Sequence, residues 1–540
     1  SRVVGRHREW EAAMNQRFGQ VLIVLVTGLV LGLGVFLVTK NGDPPASGNS
    51  TLPQSGATTT IPGDPGVSSL PGETTTTTPG GTQPPGERPA DTVPGFTVGQ
   101  PWGTTVGLTM FRGNPTRSYF GTGDVSQEPS VQWSYPDSAM CSTSTNLGDT
   151  TQWCGMGWTG QPAVWERPDG ITEIIFGAYD SAVHFVDAAT GEDLRAEFQT
   201  GDLIKGSVTV DPDGYPLLYF GSRDNKYRIL GLDEGDPVEL WSMDATDVSG
   251  TWNDDWDSNG AVVDDILYVG GENSWFFAVE LNRGYDADGK VTIDPQILVE
   301  MPGYNSDLID TAGGNVSIEN SPVVYDQRVY FANSAGRIVG LDVSQVREGE
   351  APIVFDYWAG GDIDASLVVD AEGMLYAAVN VKPDQVGPGY RTQANIDRTR
   401  EVGQLLKLDP YTDGDARIWG VDLTAGSEQS GTWSTPAVYQ GVVYNNTMQG
   451  SLIAVDAVNG EVLWSDEVGW HSWSSPAVVE GMLVTATCLG DVRGYSLADP
   501  RAPVQSWSVS LGETCLEATP AVWDGVIYIG SRDGYLRALS

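Results

Sequence analysis

Ser434-Thr-Pro-Ala-Val-Tyr-Gln-Gly-Val-Val-Tyr444, then Gly450-Ser-Leu-Ile-Ala-Val-Asp456, then Asn459-Gly460-Glu-Val-Leu-Trp464 holds three short alternating runs and a fourth that carries a tryptophan. Alternation of period two marks half-buried strands. Asn459-Gly460 supplies the positive φ of a tight hairpin. Four antiparallel strands cannot bury both faces of their own sheet, so such units must stack. Stacked radially, they close into a propeller.

The phrase recurs eight times between Gln161 and Ser540, anchored at Ala163, Val208, Ala261, Val323, Leu367, Ala437, Ala477 and Ala521. The mean spacing of about 50 residues is that of propeller blades. A tryptophan follows in most copies, at Trp241, Trp358, Trp419, Trp464 and Trp507; Arg195 takes its place in the first copy. The last copy stops at Ser540, one strand short, and Ser130-Val-Gln-Trp133-Ser-Tyr135 carries the missing tryptophan. The expectation is an all-β, eight-bladed propeller of four-stranded antiparallel blades over residues 99–540. Pairing the N-terminal strand with the last blade would remove the open edges.

The Ala-x-Asp-x-x-Thr-Gly-x-x-x-Trp pattern, matched almost fully by Ala454 to Trp464, resembles the repeat of the pyrroloquinoline-quinone (PQQ)-like β-propellers. Met110-Phe-Arg112-Gly113-Asn114-Pro115-Thr-Arg117 resembles the segment that opens many of them. The resemblance covers roughly residues 110–540 and implies a fold rather than an activity, since this superfold hosts dehydrogenases, scaffolds and sensors. In the dehydrogenases a Trp and a disulfide of adjacent cysteines clamp the quinone, beside a calcium ion and an Asp base. This chain has no adjacent cysteines. PQQ and calcium are therefore the alternative expectation, and no cofactor the first.

Residues 21–39 are apolar but for Thr27, Thr39 and glycines. At 1.5 Å per residue they reach about 29 Å, enough to cross a hydrocarbon core. Arg2, Arg6, Arg8 and Arg17 precede the run and only Lys40 follows closely, which puts residues 1–20 in the cytoplasm and the propeller outside. The run is long for a secretory signal, and no Ala-x-Ala site follows it. Gly28 and Gly32 have the spacing of a helix-pairing motif, and chance explains them as well in so glycine-rich a run. Residues 40–98 are Pro, Gly, Ser and Thr, with too little apolar side chain to offset ordering entropy. They read as a disordered stalk.

The chain has 29 basic and 71 acidic residues, of which only 6 and 7 fall in residues 1–98. Such a propeller repels nucleic acid and anionic lipid. Its four cysteines allow three pairings, and outside the membrane they should be oxidised. In a propeller, loops leading into a blade and loops joining its second and third strands open on one face. Cys141–Cys154 and Cys488–Cys515 are then the sensible pairs, both on that face. His7, His184 and His471 build no zinc site or triad from sequence.

The same face gathers the long connections 135–160, 242–258 and 301–320, and an insertion from Val379 to Val402. Long loops are commonly functional. On the other face Asp286-Ala-Asp288-Gly289 reads as a turn. The residues just ahead of each innermost strand should ring the channel mouth. These are Asp257, Glu319, Trp433, Trp473 and Glu517, three before the Pro position, with Lys205 and Asp364 two before and Trp158 four before. Such a ring suits a metal ion, a cationic ligand, a sugar or a flat cofactor. Asp255, Asp257 and Asn259 have the spacing of half a calcium loop, but Ile266 stands where its bidentate Glu belongs. The functional expectation is a membrane-anchored, extracytoplasmic binding or scaffold module for an envelope protein or wall polymer. The alternative is a PQQ- and calcium-dependent quinoprotein dehydrogenase.

Overall fold

A computed structural model describes residues 97–540 except 147–148, 158–159, 388, 426–428 and 470–471. The span 21–39, nearly all of the stretch 40–98, Trp158 and His471 lie outside the described residues. Among the described residues no helix is long and apolar enough to cross a membrane.

Eight four-stranded antiparallel blades follow one another along the chain, the sheet of the first carrying Gly107–Leu108 as a fifth strand. The eighth is made of Ala521–Trp523, Val526–Gly530, Leu536–Leu539 and, as its outermost strand, Val131–Tyr135. Trp133 pairs with Ala538 and Tyr135 with Leu536, so head and tail of the propeller share one blade. Aromatic faces pack between sheets; Phe276 of blade three lies flat on Phe331 of blade four, with ring centroids 4.7 Å apart. Both expected disulfides, Cys141–Cys154 and Cys488–Cys515, are formed.

The repeated tryptophan has a geometric reason. In blades two to seven the pairing of third and fourth strands slips by one residue at the same place. Such a bulge sharpens the twist of the outer strand. Trp241, Trp419, Trp464 and Trp507 stand at that slip, and Trp133 stands at its equivalent in blade eight. Trp133, Trp419 and Trp464 then overhang the next blade, Trp464 meeting Tyr495 edge to face. Trp133 Nε1 donates to Ala188 O at 3.0 Å and Trp419 Nε1 to Ala457 O at 3.1 Å. A Cβ on Gly191 or Gly460 would come within about 3 Å of those indoles, which is why the turn needs glycine there. In blade four the structure differs from the sequence reading. Phe355 holds the slip position, while Trp358 lies three residues on, opposite Arg337, with its Nε1 donating to Ala335 O. Trp133→Ala should lower the unfolding free energy by about 2–3 kcal/mol in urea titration, because packing and a hydrogen bond across the ring closure go together.

Two further devices hold the ring from inside. The residue before each Pro position clasps its neighbour. Gln161 N–H donates to Ser207 Oγ (2.8 Å), Asn259 N–H to Ser321 Oγ (3.1 Å) and Ser321 N–H to Ser366 Oγ (3.0 Å). Ser366 N–H donates to Thr435 Oγ1 (3.0 Å), Thr435 N–H to Ser475 Oγ (2.9 Å) and Ser475 N–H to Thr519 Oγ1 (3.3 Å). Asn259 Nδ2 to Ser207 O and Thr519 N–H to Gly160 O complete the circle. The clasp corrects two sequence anchors: blades two and five begin one residue later than expected, at Thr209 and Val368. Neither has a proline to mark its register.

The second device is the segment Gly107–Gly121, which touches all eight blades. Gly107 and Leu108 pair with Trp165 and Val164 of blade one, and Gly121 bridges Val522 of blade eight. Between them Val210, Val324 and Val369 donate their N–H groups to Thr109, Pro115 and Thr116, and Phe111 N–H reaches Asn259 Oδ1 of blade three. Arg112, wholly buried, bonds the carbonyls of Thr435 and Pro436 in blade six and Pro476 in blade seven, each at 3.0 Å. Arg117, also wholly buried, bonds Pro322 O, Phe111 O and both the side chain and carbonyl of Asn259. Burial draws both guanidinium pKa values down to about 9, so both stay charged at neutral pH. Both residues sit at positive φ, 54° and 58°, a strained conformation that the surrounding bonds hold in place. The axis is therefore plugged.

Candidate functional site

With the corrected register, Lys205, Asp257, Glu319, Asp364, Trp433, Trp473 and Glu517 all stand three residues before the Pro position of their blades. The innermost strands run from there toward the plug, which contacts the Pro positions themselves. The mouth is thus a blind funnel with a cavity of about 240 Å³. Lys205, Glu319, Asp364, Trp433, Trp473 and Glu517 line it; Asp257 is buried beside it, against Lys205. The long loops expected on this face do converge here. Trp153 comes from the hairpin Cys141–Asn146 and Asp149–Cys154, Trp252 from the connection 242–258, and Lys382, Tyr390 and Arg391 from the blade-five insertion, whose helix spans Gln393–Val402.

The charges are arranged as two similar clusters. Lys205 Nζ lies 2.5 Å from Asp257, 2.9 Å from Asp255 and 2.8 Å from Glu272, and Arg223 Nε joins Asp255 at 2.8 Å. Lys382 pairs with Asp362, and Arg391 Nη2 holds the same carboxylate at 2.6 Å. Asp364 lies 3.9 Å from Lys382 and accepts from Ser334 Oγ at 2.8 Å. Each cluster is an Asp-x-Asp pair closed on a lysine. In each the first Asp is held down: burial would raise Asp255 and Asp362, but Lys205 and Arg223, or Arg391 and Lys382, outweigh it. The second Asp is pushed well up. Burial does most of this, partly offset by the lysine and reinforced by the neighbouring carboxylates. The two carboxyl groups of each pair are thus pushed in opposite directions by their surroundings.

Glu319 sits between the clusters. Burial, with Glu272 and Asp362 nearby and only partly offset by Lys205, raises its carboxyl to about 7. A raised carboxyl pKa means that the folded state binds the proton more tightly than the unfolded chain does. The contribution of Glu319 to stability is then fully present below about pH 4.5 and is lost as pH rises through 7. Glu319→Gln should leave the melting temperature unchanged near pH 4 and raise it at pH 8, by the equivalent of about 1–2 kcal/mol.

The aromatic residues are partly engaged as well. Trp433 and Trp473 meet edge to face at 4.8 Å, and Lys382 Nζ stands 4.4 Å from the Trp433 ring centre. Arg532, paired with Glu517 at 3.2 Å, lies over Trp153 and Tyr179. Trp252 leans on Tyr390 at 5.0 Å. Of Asp255, Asp257 and Asn259, the two aspartates converge, with Glu272 as the third carboxylate, and Asn259 does not join them. The two aspartates turn to Lys205, whose ammonium takes the place a cation would occupy among them. Asn259 spends its amide on Ser207, Thr209, Phe111 and Arg117. Trp433 and Trp473, crossed as they are, present no parallel walls for a flat quinone. On the far face Asp286–Gly289 is a turn, with Gly289 at φ 80°.

An eight-bladed propeller with a plugged axis and a charge-paired, aromatic mouth is the class of molecule so defined. Residues 403–540 match the family model described as outer membrane protein assembly factor BamB (PQQ_2). Among solved structures, the quinohemoprotein alcohol dehydrogenase from Comamonas testosteroni superposes with a TM-score of 0.52 at 13% identity, over 80% of each chain. BamB from Moraxella catarrhalis gives a TM-score of 0.48 at 16% identity, over 68% of this chain and 93% of that one. No curated protein matches the sequence. The match over residues 403–540 and the fold as a whole are those of the PQQ-like β-propellers that the repeats resemble.

Proposed function

We propose that this protein is a single-pass, membrane-anchored propeller, cytoplasmic at its N-terminus and extracytoplasmic in its blades, that works by binding an envelope protein or wall polymer at the mouth. The observation that carries this reading is the blind funnel, which is closed below by buried Arg112 and Arg117 and paired in its charges before any partner arrives. A plugged axis admits no passage, so a partner can only dock and leave. The family description, an assembly factor, supports the same reading. Residues 21–39 would anchor it, and residues 40–98 would hold the propeller away from the lipid. The alternative, a PQQ- and calcium-dependent quinoprotein dehydrogenase, needs carboxylates that here hold lysines.

A photo-crosslinking residue tests the reading in the full chain, in its own envelope. Leu489, 48% exposed, lies in the turn between the second and third strands of blade seven, on the mouth face. Val458, 78% exposed, lies in the turn between the third and fourth strands of blade six, on the far face. Discrete adducts are expected from position 489 and not from 458. Adducts from 458 alone would move the working surface elsewhere. Quinone absorbance and dye reduction after adding PQQ and calcium would establish the dehydrogenase instead.

A further inference from the structure

The mouth has a chemical preference that the binding reading leaves open. Its lining offers donors and acceptors of both signs. Lys205, Lys382 and Arg391 stand against Glu319, Asp364 and Glu517, all around one cavity. Each of the three cations is already held by a carboxylate. An anionic ligand reaching them meets three carboxyl groups on the way, and a cationic ligand reaching the carboxylates meets three fixed positive charges. In so buried a setting, unpaired charge of either sign carries a large desolvation cost. A neutral molecule rich in hydroxyl groups avoids that cost. Each hydroxyl can donate to a carboxylate and accept from an ammonium or guanidinium, leaving the ion pairs in place.

The aromatic walls point the same way. Trp153, Trp252, Trp433 and Trp473 are half-buried, so each turns part of its indole to the cavity. Trp473 is fixed by its edge contact with Trp433 and by Nε1 lying 3.2 Å from Met448 Sδ. An indole face carries negative quadrupole and attracts weakly polarised C–H groups. A saturated ring with C–H groups on one face and hydroxyls at its rim matches a wall of tryptophan beside a wall of paired charge. The volume of about 240 Å³ lies below the ~300–1,000 Å³ of pockets for drug-sized ligands. It suits one ring, with any continuation leaving through the open side.

We propose that the mouth binds a single neutral, polyhydroxylated ring, the end residue of a carbohydrate chain, stacked on Trp473 with its hydroxyls on Glu319, Asp364 and Lys382. The proposal rests on the binding reading above and narrows it to the polymer rather than the protein partner.

The test is calorimetric titration of the full chain in detergent with glucose, N-acetylglucosamine and their short oligomers as neutral probes. Glucosamine and glucuronate serve as cationic and anionic counterparts of the same size. At least one neutral probe should bind with Kd at or below about 1 mM, about tenfold or more tighter than both charged analogues. Trp473→Ala should weaken that binding at least about tenfold, while Trp473→Phe, which keeps a ring face, should weaken it by about threefold or less. A charged analogue binding as well as the neutral sugar would overturn the proposal. So would no saturation by any neutral probe, or an unchanged affinity in a folded Trp473→Ala variant. Crosslinks from position 489 together with no sugar binding would leave the binding surface standing and remove only its carbohydrate ligand.

Discussion

Replacing Arg112 by methionine should lower the free energy of unfolding by about 3–5 kcal/mol, the largest single loss expected outside the aromatic core. The guanidinium is wholly buried and satisfies the carbonyls of Thr435, Pro436 and Pro476 from two different blades. It also lies 4.6 Å from the Phe120 ring centre, so its body packs as well as bonds. Methionine fills much of the volume but leaves three buried acceptors without a donor. Lysine keeps the charge yet cannot fork between blades, so Arg112→Lys should recover only part of the loss. Urea unfolding of wild type, methionine and lysine variants, compared at equal slope, reads the order directly. A methionine variant within 1 kcal/mol of wild type, by the same titration, would mean the plug rests on the ring without holding it.

Lys205→Met should cost a similar amount, about 3–5 kcal/mol at neutral pH, for the opposite electrostatic reason. Three buried carboxyl groups converge on its ammonium, with only Arg223 as a second cation, bonded to Asp255. Removing it leaves their charge uncompensated. The signature is the pH dependence. Without Lys205, Asp257 is pushed up further and Asp255 loses the largest charge holding it down, so the variant should regain stability as pH falls and they take up protons. Wild type, with the ammonium in place, should gain less from the same acidification. Melting curves from pH 4 to pH 8 should show the gap between the two proteins narrowing in acid; a gap constant across that range would mean the cluster carries little net charge.

Local pattern made the blades legible. Gly and Asn-Gly turns, alternating runs and a tryptophan lie within a few residues of one another, and the same tryptophan identified Val131–Tyr135 as the closing strand. Register was less legible where proline is missing, which displaced the start of blades two and five by one residue. In blade four Trp358 stands close to the repeat's tryptophan position but beyond the slip that Phe355 occupies. Mouth positions such as Glu319 and Trp473 could be found because the strands fix them. Arg223, Lys382, Arg391 and Trp252 could not, since they arrive on loops that obey no period. One signal was available and unused: Asp255-Trp-Asp257 and Asp362-Ile-Asp364 repeat the same spacing ahead of two blades. The plug is a single non-repeating segment, and nothing in Arg112-Gly-Asn-Pro-Thr-Arg117 announces that both arginines will be buried on the axis.

Hydrogen–deuterium exchange of the full chain, with and without its own envelope fraction, bears most directly on the idea that the mouth is the working surface. Protection is expected in residues 249–256, 304–315, 382–392 and 487–490, which surround the funnel. The far-face turns at 286–289 and 457–460 should exchange at their free rate. Protection of those turns with an unchanged mouth would contradict the account.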